Sequence, residues 1–297
     1  MRPAPLGVRD GLGPARVRLH GGAVLAELTT RFGERARAKV LAGEVVDADG
    51  AVIDAATVLP TGASVYLYRD LPDEVPVPFD IPVLHRDDDI VVVDKPHFLA
   101  TMPRGSHVAQ TALVRLRNAL GLPELSPAHR LDRLTAGVLL FTVRREVRGA
   151  YQMLFARGEV VKTYLARAAV DPGLELPRVV RHRIIKRRSH LQATIEPGEP
   201  NAETLVELLS PDGRYRLTPR TGRTHQLRVQ MASLGLPIIG DPLYPSVIDV
   251  AADDFSTPLR LLAQRLEFDD PFTGSRRMFL SRRTFETGSG GGHDDAG

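Results

Sequence analysis

The chain has 297 residues, 43% of them hydrophobic, and a formal net charge of +3, enough to bury a substantial core in one or two domains. It has no cysteine, which excludes disulfides, thiolate zinc sites and cysteine nucleophiles together. No run of about 18 apolar residues occurs and the start, Met1 to Leu6, leads into no apolar signal core, so neither membrane insertion nor export is indicated and the cytoplasm is the expected compartment. All but Lys39, Lys95, Lys162 and Lys186 of the 39 basic residues are arginine. Arginine forks suit phosphate and base contact, although a GC-rich genome produces the same bias.

Residues 1–16 are rich in Gly, Pro and Arg without periodicity and read as a flexible leader. From 17 to 70 the pattern predicts a small unit: short helices at 23–32 and 34–42, a strand and turn at 43–50, and an alternating strand at 64–68. Arg35, Arg37 and Lys39 on the second helix, the Gly43-x-Val45 exit and the Gly62-Ala63-Ser64-Val65 entry resemble a small S4-type RNA-binding domain. The competing reading is an extension that only packs on the rest of the chain, because charge on one helix face often serves solubility alone. Alternate prolines in Leu71 to Pro78 favour extended backbone and mark residues 71–79 as a linker.

Beyond the linker, residues 80–285 predict strands near 89–94, 137–143, 161–170, 203–209 and 214–218, with helices near 109–120, 146–156 and 224–234. The fold class is α+β with a large mixed or antiparallel sheet. Arg178, Arg181, His182, Arg183, Lys186, Arg187 and Arg188 form a basic cluster with no acid between Arg178 and His190, which suggests a phosphate-facing loop or a solvated hairpin. The Gly-rich end, 286–297, reads as disordered.

Chemistry concentrates in His129-Arg130-Leu131-Asp132-Arg133, where one carboxylate stands between arginines just before the apolar run Val138–Val143. An ionised carboxylate serves as nucleophile or base without a cofactor; alone, the motif reads equally as a structural ion pair. Three further segments accompany it in order: Asp89-Ile90-Val91-Val92-Val93-Asp94-Lys95-Pro96, then Lys162-Thr163-Tyr164, then Gly222-Arg223-Thr224-His225-Gln226-Leu227-Arg228 with its continuation to Gly240-Asp241-Pro242-Leu243-Tyr244. Together they resemble the RluA-type RNA pseudouridine synthases over roughly residues 80–282.

The resemblance implies a pseudouridine synthase catalytic domain that needs no cofactor and no metal, with RNA as partner, ribosomal RNA first and transfer RNA next. It makes Asp132 the catalytic aspartate, attacking C1′ or driving glycal formation, and Arg228 the arginine that pairs with it. Tyr164 matches the aromatic against the flipped base, and Arg130 the arginine that enters the stack in its place. His129, Lys162, Arg223, His225 and Gln226 are expected to bind substrate or shape the pocket, His129 preferably by donating a hydrogen bond to a loop. Lys95-Pro96 is expected to shape the pocket wall. The chain departs from the family pattern at Leu134, at Ala136 where serine is usual, and at Leu261-Leu262-Ala263 where Leu-His-Ala is usual, so two supporting hydrogen bonds are expected to be missing. Two rivals remain at this level: a catalytically silent RNA-binding or assembly protein with the same fold, and a glycoside hydrolase, which commonly wants a second carboxylate where the motifs offer arginine.

Overall fold

The computed structural model describes residues 4–71 and 73–284; the expected disordered segment 286–297 lies outside the described residues. The chain divides into unit 1, Met1–Asp73 with Arg117–Pro123, and unit 2, Glu74–Leu116 with Glu124–Gly297.

Unit 1 runs β1 (Ala15–Arg18), β2 (Gly22–Ala23), α1 (Val24–Phe32), α2 (Glu34–Leu41), β3 (Val58–Leu59) and β4 (Ser64–Leu67). β1 pairs antiparallel with β4, and β2 with β3. Val24 and Leu28 of α1 and Ala36 and Val40 of α2 are each four residues apart, hence on one helix face, and they close with Leu19, Val45, Ile53 and Val65 into a single core. Two expectations need correction here. The leader overlaps β1, and its earlier part is tied down as well, since Gly7 accepts a hydrogen bond from Tyr68 and Arg9 bridges Leu12. The strand expected at 43–50 reduces to isolated bridges from Val46 to Val52 and Tyr66.

Unit 2 contains β5 (Val83–Arg86), β6 (Ile90–Lys95), α3 (Ala112–Leu120, grouped with unit 1 from Arg117), β7 (Ser126–Pro127), β8 (Ala136–Thr142), α4 (Arg145–Arg157), β9 (Val161–Arg167), β10 (Arg178–Ile185), β11 (Thr194–Glu196), β12 (Ala202–Ser210), β13 (Arg214–Pro219), α5 (Gln226–Ser233), β14 (Leu261–Asp269) and β15 (Arg276–Leu280). These strands form one 11-stranded sheet in the order β11-β10-β12-β13-β9-β14-β8-β6-β5, with β15 on β14 and β7 on β8. Only the β8–β14 pair is parallel, so the sheet is mixed and the fold α+β, as expected. Every residue of β6 and β8 is buried, which is why Ile90–Val93 and Val138–Phe141 read as apolar runs rather than alternating ones.

Val147, Tyr151 and Leu154 of α4 pack on Ile90, Val92, Val138, Leu140 and Phe268, each contributing about 1.5–3 kcal/mol of burial. Leu227 and Met231 of α5 pack on Ala166, Leu217 and Val206. The second half of the expected linker belongs to unit 2. The Glu74 carboxylate accepts from the backbone N–H groups of Val108, Ala109 and Gln110, and Arg115 donates to the carbonyls of Val77 and Phe79.

The basic cluster runs along strand β10 and on into the turn of the hairpin that β10 makes with β11. β10 pairs with both β11 and β12, so acids absent from the cluster's own sequence arrive from those strands: Arg181 of β10 bonds Glu203 of β12 at 2.7 Å, and Arg187, just past β10, bonds Glu196 of β11.

Candidate active site

Asp132 lies on the loop between β7 and β8, and the backbone on either side of it is held by one other segment. Thr101 donates to the Leu131 carbonyl at 2.8 Å and accepts from the Leu131 amide at 3.1 Å. The buried Lys95 ammonium reaches the Arg133 carbonyl at 3.3 Å, and His97 donates through Nδ1 to the Leu134 carbonyl at 2.7 Å. Lys95 at the end of β6, with His97 and Thr101 just after it, thus fixes three loop carbonyls that flank one carboxylate. Loop carbonyls satisfied this way lose their freedom to seek water. The loop then turns into β8 through Gly137, at φ +113°, where a Cβ would stand 2.2 Å from the Ala263 carbonyl oxygen; only glycine lets β14 approach so closely.

Arg228, in the first turns of α5, is 2% exposed at the side chain and gives its fork to Asp241, Nε to Oδ2 at 2.7 Å and Nη2 to Oδ1 at 2.5 Å. Its remaining Nη1 stands 3.9 Å from Asp132 Oδ2. The expected Arg228–Asp132 relationship is therefore a proximity, while the bidentate bond goes to Asp241. Burial works against the Arg228 charge, but the bonds to Asp241 and the charges of Asp241 and Asp132 outweigh it and hold the guanidinium protonated more firmly than usual. Tyr244 lies beneath it, 5.4 Å from ring centroid to guanidinium carbon.

Asp132, Tyr164, Arg228, His225, Arg130 and Leu261 line one cavity of about 100 Å³, the scale of a single ring rather than of a large ligand. Tyr164 comes from β9, in register with Leu217 of β13 and Ala263 of β14. Burial, and then the charge of Asp132, push its phenol above the usual range, so it stays protonated. A second cleft of about 570 Å³ opens from the same walls and shares Arg130, Tyr164, Thr221, Gly222 and Arg223. A larger cavity of about 920 Å³, lined by Phe98, Leu134, Ile239, Asp241, Tyr244 and Ile248 among others, does not include Asp132.

The other expected site residues divide. Arg130 is exposed, makes no ion pair among the described residues, and borders both the cavity and the cleft. Lys162 donates to the Thr221 carbonyl at 3.0 Å and is pushed down by burial alone, with no acid opposing the shift. His129 is a wall residue: its ring stacks on Phe155 at 4.3 Å, and Nε2 accepts the Leu140 amide at 3.1 Å rather than donating to a loop. Burial, with the Lys162 charge, lowers it to about 3, so it is neutral.

Gln226 is fully committed to structure. Its carbonyl accepts from Thr221 and the Arg223 amide, and its amide donates to the Glu203 carbonyl and Thr204, tying the loop before α5 to β12. Arg223 is exposed and donates to the Asn201 carbonyl at 3.0 Å. His225 adopts φ +59° at the N-cap of α5, with Nδ1 3.0 Å from the Tyr244 hydroxyl; burial lowers it to about 4 against the charge of Asp132. In unit 1, Lys39 is taken by Asp70 at 2.9 Å and Glu44 at 3.2 Å, and Arg37 lies 3.5 Å from Glu34, whereas Arg35 is exposed.

Reasoning from sequence named neither the clamp by Lys95, His97 and Thr101 nor the role of Asp241. The available signal was positional, since Lys95 and Asp241 both stand inside the quoted motifs. The departures from the family pattern are also accounted for. Ala136 and Leu262 are direct partners in the parallel β8–β14 register and both are buried, as is Leu134. Apolar side chains thus stand at all three positions.

Residues 89–233 match the RNA pseudouridylate synthase family. The chain is 32% identical to the dual-specificity RNA pseudouridine synthase RluA of Yersinia pestis over 68% of its own length and 99% of that protein. It is 31% identical to the ribosomal large subunit pseudouridine synthase D of Xanthomonas campestris over 85% of this chain and 82% of that one. The solved structure of human RNA pseudouridylate synthase domain containing 1 shares the fold, with a TM-score of 0.55 and 24% identity over 69% of this chain and 84% of that one. This fold and these motifs define an RNA-modifying isomerase, and the chain belongs to the RluA-type family of RNA pseudouridine synthases. No helix of the described residues is long and apolar enough to cross a membrane.

Proposed function

We propose that this chain isomerises specific uridines of structured RNA to pseudouridine with Asp132 as the reacting carboxylate, ribosomal RNA being the first candidate substrate and transfer RNA the second. The observation that carries the assignment is the Asp132 carboxylate beside an arginine already immobilised by Asp241, in a ring-sized cavity walled by Tyr164. In the reaction the N1–C1′ bond breaks, the base turns, C5 bonds to C1′, the C5 proton leaves and N1 gains one. Asp132 acts on the ribose, by attack on C1′ or by proton removal toward a glycal. Tyr164, a protonated phenol, offers its ring face to the base and its hydroxyl to the proton inventory at C5. Arg228, fixed on one side, faces the carboxylate with one N–H edge and neither collapses onto it nor leaves it.

A nucleotide in a duplex must leave its stack to enter, at a cost of a few kcal/mol. Arg130, free of acids and at the mouth, suits replacement of the departed base by a planar guanidinium. The neighbouring cleft, with Arg157, Lys162, Arg220 and Arg223 on its walls and no carboxylate among its lining residues, suits the phosphates on either side of the target. The alignment with the Xanthomonas synthase covers 85% of this chain and so reaches into unit 1; there the reading places an S4-like RNA clamp, resting on the motifs of the second helix, with Arg35 exposed and Lys39 answered by Asp70 and Glu44. The cytoplasm is the compartment this reading assigns.

Release of tritium from C5-labelled uridine in ribosomal and transfer RNA transcripts tests the activity. A pseudouridine map of total RNA with and without the gene identifies the position. One lost position supports the reading, whereas a map unchanged at every site together with retained RNA binding would favour the silent binder.

A further inference from the structure

His225 caps α5 in the left-handed region, at φ +59°, and its Nδ1 stands 3.0 Å from the Tyr244 hydroxyl. A hydroxyl has one proton to give and two lone pairs to fill. Burial pushes the Tyr244 phenol up to about 12, so the proton stays on. The oxygen accepts from the Ala193 amide at 2.6 Å and lies 3.1 Å from the Ala193 carbonyl.

The hydroxyl proton therefore has two places to go. If it turns to His225, the carbonyl of Ala193, a residue 2% exposed, is left without a donor among the described residues. If it turns to that carbonyl, the Nδ1–H of His225 fills the second lone pair and every group is paired. Buried polar groups are paired as a rule, which selects the second arrangement. A neutral imidazole with its proton on Nδ1 carries a bare lone pair on Nε2.

Nε2 makes no hydrogen bond among the described residues, and it is not one of their buried unpartnered side-chain atoms. His225 lines the ring-sized cavity together with Asp132, Tyr164 and Arg130, whereas Tyr244 does not. The Nδ1 edge is thus spent on the fold, and the Nε2 edge is the one left for the cavity.

We infer that His225 is a hydrogen-bond acceptor for the target nucleotide, with its tautomer set by the Tyr244 hydroxyl. A uridine inside an RNA strand offers only two donors, N3–H and the 2′-hydroxyl, because its 3′ and 5′ oxygens are esterified. Either contact is selective. N3–H separates uracil from cytosine, whose N3 has no proton, and the 2′-hydroxyl separates RNA from DNA. A site built to bond a donor rejects the analogue that lacks it, since the acceptor is then left unpaired. The substrate contact rests on the isomerase reading above; the tautomer does not.

NMR of the 15N-histidine-labelled full chain at neutral pH reads the tautomer. His225→Asn assigns the resonance, asparagine being tolerant of the left-handed backbone. A protonated Nδ1 and a bare Nε2 are expected, and a protonated Nε2 overturns the inference.

Recognition is read as RNA affinity in the Asp132→Asn background, which removes turnover. The probe is a hairpin carrying the uridine that the pseudouridine map identifies, made with uridine, cytidine or 2′-deoxyuridine at that position. For one of the two analogues, the loss of affinity against uridine should be about tenfold greater with His225 present than in His225→Asn, the scale of one acceptor left unpaired. Losses that His225→Asn leaves unchanged for both analogues overturn the inference. Should His225→Asn not fold, Tyr244→Phe keeps the ring beneath Arg228 and removes only the hydroxyl, and it should shift the tautomer and shrink the same loss. A map unchanged at every site would instead remove the isomerase reading, and the substrate contact with it.

Discussion

Arg228 gives its two-pronged bond to Asp241 and keeps a single nitrogen, 3.9 Å away, for Asp132. The carboxylate with the reactive position is therefore the one not consumed by the arginine. A carboxylate locked in a bidentate pair is a poor nucleophile, because both oxygens are engaged. Replacing Asp132 with Asn, nearly isosteric, should leave RNA affinity largely intact and reduce tritium release to background, since an amide is neither nucleophile nor base at neutral pH. Substantial residual release would exclude Asp132 as the reacting group.

Asp241 should behave as a structural acid. Its side chain is 1% exposed, and Oδ1 also accepts from the Leu243 and Tyr244 amides. Asp241→Ala leaves the Arg228 guanidinium buried without its partner, a loss of about 3–5 kcal/mol for a broken buried pair. Urea unfolding reads it directly. A cost under about 1 kcal/mol would mean that Arg228 re-pairs with Asp132, and activity would then fall for that reason.

Tyr164→Phe separates ring from hydroxyl. The phenol is held protonated by burial and by Asp132, so the variant keeps the stacking face and loses only the donor. kcat should fall by about a hundredfold or more, the scale of a lost proton-transfer group, with KM little changed. Wild-type kcat would reduce Tyr164 to a packing residue.

Three histidines make stability acid-sensitive in a defined window. Burial lowers His97 and His225 to about 4 and His129 to about 3, against about 6.5 in the unfolded chain. Between those values the unfolded state binds more protons, so their stabilising contribution is complete above about pH 6.5 and is lost as pH falls through the folded values. His129→Gln, whose carbonyl can accept the Leu140 amide in place of Nε2, should flatten the pH dependence of the melting temperature between about 6.5 and 4. An unaltered slope would show that the imidazole is not buried in solution.

The legibility of this chain in its sequence follows from the range of each interaction. The buried strands β6 and β8 announce themselves as apolar runs, and α4 by the spacing of Val147, Tyr151 and Leu154, because these patterns are local. β14 and β15 carry mixed sequences such as Leu261 to Asp269 and escape prediction; the strand character of β14 comes from pairing with β9 and β8, far away in sequence, and β15 follows it. The same limit governs the site. The motifs point to Asp132, Tyr164 and Arg228, but which acid takes the Arg228 fork, and that Gln226 spends itself on β12, are facts of tertiary contact. The basic run from β10 into the turn after it misleads for the converse reason, since the acids answering Arg181 and Arg187 lie on β12 and β11.

Unit 1 has its own apolar core, and a cut before Glu74 removes all of it but Arg117–Pro123. If it clamps RNA, its contacts are to phosphate and add affinity without chemistry, so deleting residues 1–73 should raise KM for folded RNA and spare kcat. Charge reversal discriminates more finely than deletion. Arg35 is exposed, whereas Lys39 is already answered by Asp70 and Glu44, so Arg35→Glu should weaken binding more than Lys39→Glu. Each lost phosphate contact should lower the slope of log K against log salt by about 0.7–0.9. A unit that only packs on its neighbour would leave that slope unchanged in both variants, and its deletion would instead lower the melting temperature of what remains. RNA affinity at several salt concentrations, measured beside thermal melts of all three proteins, separates the two outcomes.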